Sequence, residues 1–324
     1  MTAANRLRLL QPGLGHNTHM PSHIDVRTGK WHESIAANLR AIKSDADYRA
    51  KRPNQGFYRI YMLHNFHMLG FGGMMTGQGK LAIEAMDRMV ADIPTTLPEP
   101  MYALVDGYIS MPTEVRIRFG KWDEVLARPE PAAHFPIARA MRHAARSIAF
   151  AAKGRVDEAR FAQAQFKMSL NDVHEGATFG NNLAADLLKL TDIMVEGEIR
   201  LASGDMSGGI KELYRAATIE DQLRYDEPPD WILPIRHPLG AALIKAGRFA
   251  EAEKVYRQDL ARWPENGWAL RGMSQALAGQ GKSDAAKQFA DRFATMWRKS
   301  DTSITSSCMC VPVKEDLRES RGGR

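Results

Sequence analysis

One short phrase recurs seven times along the chain and constrains the fold more than any other feature. It is a glycine, often followed by a basic residue, then an aromatic or polar residue, then an acid and alanine. It reads GKWHESIAAN from Gly29, GQGKLAIEAM from Gly77, GKWDEVLARP from Gly120 and GRVDEARFAQ from Gly154. It returns as GDMSGGIKEL from Gly204, GRFAEAEKVY from Gly247 and GKSDAAKQFA from Gly281. Gly120 to Gly154 and Gly247 to Gly281 are both 34 residues apart, and the other gaps are longer. Glycine accepts positive φ without a Cβ clash, so it suits the tight turn between two helices. Small residues after it let the paired helices approach. No long alternating β-branched run competes with this pattern, so the chain reads as all-α. Helix pairs of this kind stack on their neighbours, because none buries its apolar face alone.

The unit around Gly247 carries the fullest pattern. Leu239, Gly240 and Leu243 share one face of a first helix; Ala252, Tyr256 and Leu260 follow at helical spacing on a second, which Pro264 ends. Gly240, Gly247, Ala252, Tyr256 and Pro264 resemble the small, turn, aromatic and proline positions of the tetratricopeptide repeat, whose period is 34 residues. The resemblance is strongest in 236–264, fair in 267–297 and loose before 154. It implies a right-handed α-solenoid of about seven imperfect helix pairs over residues 1–300, with 1–14 as a remnant or cap helix. Residues 301–324 read as a polar tail with a Cys-x-Cys. GHNTHMPSHIDVRTGKW, MLHNFHMLGF and TSSCMC further resemble bacterial proteins of this repeat class in which more helical repeats come first. That implies the C-terminal part of a longer protein. Prolines 94, 98, 100 and 112 mark an irregular connection, as do ARPEPAAHFP (127–136) and DEPPDWILP (226–234).

Composition excludes several classes. No apolar run reaches the roughly 18–20 residues that span a bilayer. The first residues carry arginines but no apolar stretch before Pro12, which is not a secretory signal and implies a cytoplasmic chain. Two cysteines in 324 residues argue against a disulfide framework. The net charge of +6 lies wholly in residues 1–60, with ten Lys/Arg against four Asp/Glu. No nucleic-acid motif accompanies it, so a basic end suits an acidic protein or peptide.

Histidine is the residue that raises a question of chemistry. His16, His19 and His23 fall within nine residues, and His64 and His67 form a second pair. A helix starting near Thr18 would place Pro21 in its first turn and His19 and His23 on one face. His64 and His67, at i,i+3, also share a face. Stacked first helices would bring the two clusters together. Neutral imidazole ligates zinc, copper, iron or nickel, and the thiols of Cys308 and Cys310 favour zinc or copper(I). Against a protease reading, HxxHxxxH has no glutamate between its histidines. GFGGMMTGQGK lacks the phosphate-loop pattern, and no GxSxG is present. Two functions follow. The first is a scaffold that binds a protein or peptide along its concave groove and is not an enzyme. The second is a zinc- or copper-binding protein, or metal-dependent enzyme, built on His16, His19, His23, His64 and His67, with Cys308 and Cys310 further out.

Overall fold

The computed structural model describes residues 2–94 and 99–311. Helices dominate, and all seven glycines of the recurrent phrase take positive φ, from 64° at Gly120 to 90° at Gly204. Each sits at a helix end closed the same way. The residue after the glycine donates its N–H to the carbonyl five residues back: Lys30 to Asp25, Gln78 to Gly73, Lys121 to Arg116 and Arg155 to Phe150. Asp205 to Arg200, Arg248 to Leu243 and Lys282 to Leu277 complete the set. This caps the last carbonyls of the first helix and turns the chain into the second.

A leading helix α1 (Thr2–Leu10) precedes the array. In the first unit the first helix is split into α2 (Gly15–His19) and α3 (Pro21–Arg27), followed by α4 (Trp31–Lys51). The second and third units are α5 (Tyr58–Met75) with α6 (Gly79–Ala91), and α7 (Glu99–Arg118) with α8 (Trp122–Ala127). The fourth is α9 (Pro136–Ala152) with α10 (Val156–Ser169). A two-residue hairpin, β1 (Thr178–Phe179) and β2 (Asn182–Leu183), leads into α11 (Ala184–Ala202) with α12 (Met206–Glu220). The last units are α13 (Arg236–Lys245) with α14 (Phe249–Arg262), and α15 (Gly267–Gly279) with α16 (Ser283–Trp297).

Close approach of neighbouring units rests on small residues. The buried Tyr256 ring lies between α13 and α15. A Cβ at Gly240 or Gly272 would come within 2.3 or 2.1 Å of its Cζ, so neither position admits a side chain. Met68, Met74 and Met75 of α5 are fully buried, with Gly73 against Ala82 of α6, so the methionine-rich stretch is core.

Two features depart from the sequence expectations, and a third adds to them. Pro112 lies inside α7 and is no connection. Burial of Met111 and Val115 on one side holds α7 together through it, and the Pro112 carbonyl also accepts from Arg116 Nη1 at 2.7 Å. Pro98 lies outside the described residues. Second, the units do more than stack on neighbours: the first ones also close on the last. Trp31 Nε1 donates to the Pro264 carbonyl at 2.7 Å, and Trp268 Nε1 to that of Met74 at 2.7 Å. The Phe71 and Trp263 rings meet edge to face at 5.3 Å, and His32 reaches the Met296 carbonyl. Third, the tail is packed as far as residue 311. Asp301 accepts from the backbone N–H groups of Gly79 and Lys80 at the start of α6. Ser307 donates to the His237 carbonyl and bonds Tyr256 Oη at 2.6 Å, while Gln275 donates to the Thr305 carbonyl.

A buried carboxyl in α7 gives a testable electrostatic consequence. Burial pushes Glu114 up to about 7, although Ser110 donates to its Oε1. An acid whose pKa is raised on folding contributes stability below its unfolded pKa and loses it as pH rises through the folded value. Glu114→Gln is therefore expected to gain stability relative to wild type between pH 4.5 and 7. The gain builds up across that window to roughly 3.5 kcal/mol, following about 1.4 kcal/mol per pKa unit. Urea denaturation at pH 5 and pH 8 checks this; an equal effect at both would contradict the shift.

Candidate metal centre

The helix that carries the histidine stretch breaks at Met20, with His19 ending α2 and His23 within α3. Pro21 takes the first position of α3, where a missing N–H costs least. The helix thus begins earlier than its proline suggests, yet His19 and His23 still converge. Their Nε2 atoms are 2.9 Å apart. His64 of α5 joins them, its ring centroid 4.7 Å from that of His19 and 5.6 Å from that of His23. One ligand nitrogen from each of the three lies within 4.8 Å of the others.

The surrounding hydrogen bonds assign the tautomers. Asn38 of α4 donates through Nδ2 to the Ser34 carbonyl, so its Oδ1 faces His19 Nδ1, at 2.7 Å. That oxygen accepts, so His19 carries its hydrogen on Nδ1. His23 Nδ1 lies 2.9 Å from Oε2 of the buried Glu227, in the loop before α13. A carboxylate also accepts, so His23 carries its hydrogen on Nδ1. The two Nε2 atoms therefore face one another, and that of His19 offers its lone pair. Burial, with His64 next in effect, pushes His19 down to about 2; burial followed by His67 pushes His64 down to about 3. Both rings are neutral at any physiological pH, which is the form that ligates a metal.

His16 and His67 flank this trio. His16 stacks 5.9 Å from His19, and its buried Nδ1 has no partner. Its backbone N–H donates to Tyr58 Oη, whose own proton goes to Asp45, tying α2 to α4 and α5. His67 is 6.3 Å from His64 by ring centroid, its Nε2 is buried without a partner, and burial lowers its pKa to about 3. His16, His64 and His67 share a cavity of about 370 Å³ with apolar Ile60, Leu63 and Val105, aromatic Tyr61 and Tyr108, and polar Asn181 and Asp226. Beside it Asp230 is pushed up to about 7, mainly by burial, partly offset by the Asn182 amide and raised further by Asp226.

Cys308 and Cys310 do not join the histidines. They are bonded to each other, contrary to the reduced thiols their number suggests, and form a separate group with Glu198 of α11. Burial alone pushes Glu198 up to about 8. The basic N-terminal residues also turn partly inward: Arg8 pairs with the buried Asp25 at 2.6 Å and Arg49 with Asp92 at 2.8 Å.

Sequence reasoning did not single out Asn38, Glu227, Asn181 or Asp226. Glu227 is 204 residues from His23, and no spacing rule reaches that far. FGNNL at 179–183 did carry a signal, since a glycine and asparagine between apolar residues mark a hairpin.

Among known proteins, a family model described as tetratricopeptide repeat matches residues 243–293, from the last turn of α13 into α16. No curated protein matches the chain. Among solved structures, one of Naa15/Naa10 bound to HypK-THB is 19% identical, with a TM-score of 0.31. The match covers 93% of this chain and 40% of that one. No described helix is long and apolar enough to cross a membrane.

Proposed function

We infer that this tetratricopeptide-repeat chain is a metal-binding protein, with zinc or copper held by His19, His23 and His64 beside a small-molecule cavity. The observation that carries the reading is the 2.9 Å approach of the His19 and His23 Nε2 atoms, each with its Nδ1 hydrogen committed elsewhere. Asn38 and Glu227 act as the outer partners that orient ligating imidazoles and raise their basicity. Three imidazoles leave a tetrahedral ion one further position, the pattern of metal sites that act on a substrate. A bound ion would supply Lewis acidity there. His16 and His67, further out, face the cavity rather than complete the ligand set. Titration of chain purified without a histidine tag tests this. Zn²⁺ or Cu²⁺ is expected to raise the melting temperature, and a chelator to reverse the rise; a flat response to both ions sinks the reading.

A second reading, capture of a protein or peptide along the first helices, is supported by residues 300–311. That irregular stretch already lies against α13 and α15, through Ser307 and Thr305, so these helices accept a non-helical segment. A chain ending at residue 299 is then expected to bind a synthetic peptide of residues 300–311, and to do so better than the full chain. Equal or absent binding by the two contradicts it.

A further inference from the structure

The Cys308–Cys310 pair takes no part in the histidine site, yet it is not an inert crosslink. It closes a loop of two intervals and holds no distant elements together. It sits on the segment that crosses α11 and α13, with both cysteines partly exposed and Met309 against Gly120. Behind it stands Glu198, almost wholly buried in α11. The Glu198 Oε1 lies 3.1 Å from the Cys310 Sγ. A disulfide sulfur has no hydrogen to donate, so in this contact the proton belongs to the carboxyl. A buried carboxyl aimed at one sulfur of such a pair is costly for structure alone, because its lone pairs forgo water. It is useful where that sulfur must gain or lose a proton.

We propose that Cys308 and Cys310 form a redox-active dithiol/disulfide that exchanges with a small dithiol or a dithiol protein, with Glu198 as the proton donor and acceptor for Cys310. In the reducing direction, a thiolate of the incoming dithiol attacks the Cys308 sulfur. The S–S bond breaks, its electron pair stays on Cys310, and Glu198 gives Cys310 its proton. The mixed disulfide on Cys308 is then attacked by the second thiol of the reductant. That step releases Cys308, which takes its proton from solvent, and leaves the reductant as a disulfide. The two electrons come from the dithiol, and Glu198 regains its proton from water. In the oxidising direction Glu198 accepts the Cys310 proton as the S–S bond forms. The geometry assigns unequal roles to the two sulfurs: Cys308 meets the partner, and Cys310 leaves against Glu198.

The test is reduction of the oxidised chain by dithiothreitol at pH 7, followed by thiol labelling and mass spectrometry. Glu198→Gln keeps the shape and removes the acid. The rate constant is expected to fall about tenfold or more, the low end of what a positioned proton donor contributes. An unchanged rate overturns the proposal, as does a pair that dithiothreitol and a mild oxidant do not interconvert. Two single-cysteine variants avoid dependence on the folding of Glu198→Gln. With oxidised glutathione, Cys308 in Cys310→Ser is expected to form its mixed disulfide about tenfold faster than Cys310 in Cys308→Ser. Equal rates, or a faster Cys310, would overturn the assignment of roles.

Discussion

Alanine at His19 or His64 is expected to weaken zinc or copper binding by at least about 100-fold, and to abolish the rise in melting temperature that the ion causes. Each change removes one of three converging nitrogens, and two imidazoles hold an ion far less well than three. The ion-free variants should lose little by comparison. His19→Ala leaves the Asn38 oxygen without its partner, a cost of roughly 1–3 kcal/mol. His67→Ala is the informative control. Its ring lies 6.3 Å from that of His64, outside the trio, so metal affinity should stay within a few-fold of wild type. Calorimetric titration separates the three variants. If His19→Ala and His64→Ala bind as His67→Ala does, the trio is not the site.

Trp268→Ala should be the most destabilising single change outside that site, by about 3–5 kcal/mol, the range for a buried aromatic truncated to alanine. The ring is fully buried. It donates to the Met74 carbonyl, meets Trp297 edge to face at 5.5 Å and lies 4.5 Å under the Arg118 guanidinium. It therefore joins the last unit to the second, and the loss should loosen the closure as well as the core. Solution scattering should record a larger radius of gyration for the variant under native conditions. A fall in urea midpoint worth less than about 1 kcal/mol, with unchanged scattering, would show that the closure does not depend on this contact. A simple linear array responds to such a change in one repeat and its neighbours. Here the first and last units should lose protection from hydrogen exchange together.

The repeat was readable because its turns leave so few choices. A left-handed residue between two helices selects glycine, and all seven such glycines lie where their phrases put them. The histidine cluster was readable for a local reason too: spacings of three and four survive the break at Met20, because Met20 itself keeps helical dihedrals, φ −49° and ψ −37°. What the sequence did not carry depends on distance. The partners of Trp31 and Trp268 lie 233 and 194 residues away, and a tryptophan looks alike whether it packs on its neighbour or across a closure. Glu227 reads as one more loop acid until the closure brings it to His23. Polarity hid the tail: Ser306 and Ser307 are buried because the Tyr256 hydroxyl and the His237 carbonyl satisfy Ser307. A composition rule sees only the hydroxyls, and assigns them to solvent.

The central claim is that three imidazoles from two units of a helical-repeat chain hold one metal ion. The most direct measurement is the metal content of chain expressed without a histidine tag and purified without chelator, alongside its His19→Ala/His64→Ala variant. The account predicts about one equivalent of zinc or copper in the wild type and a trace in the variant. No bound metal in the wild type, even after dialysis against either ion, or equal content in both proteins, would contradict it.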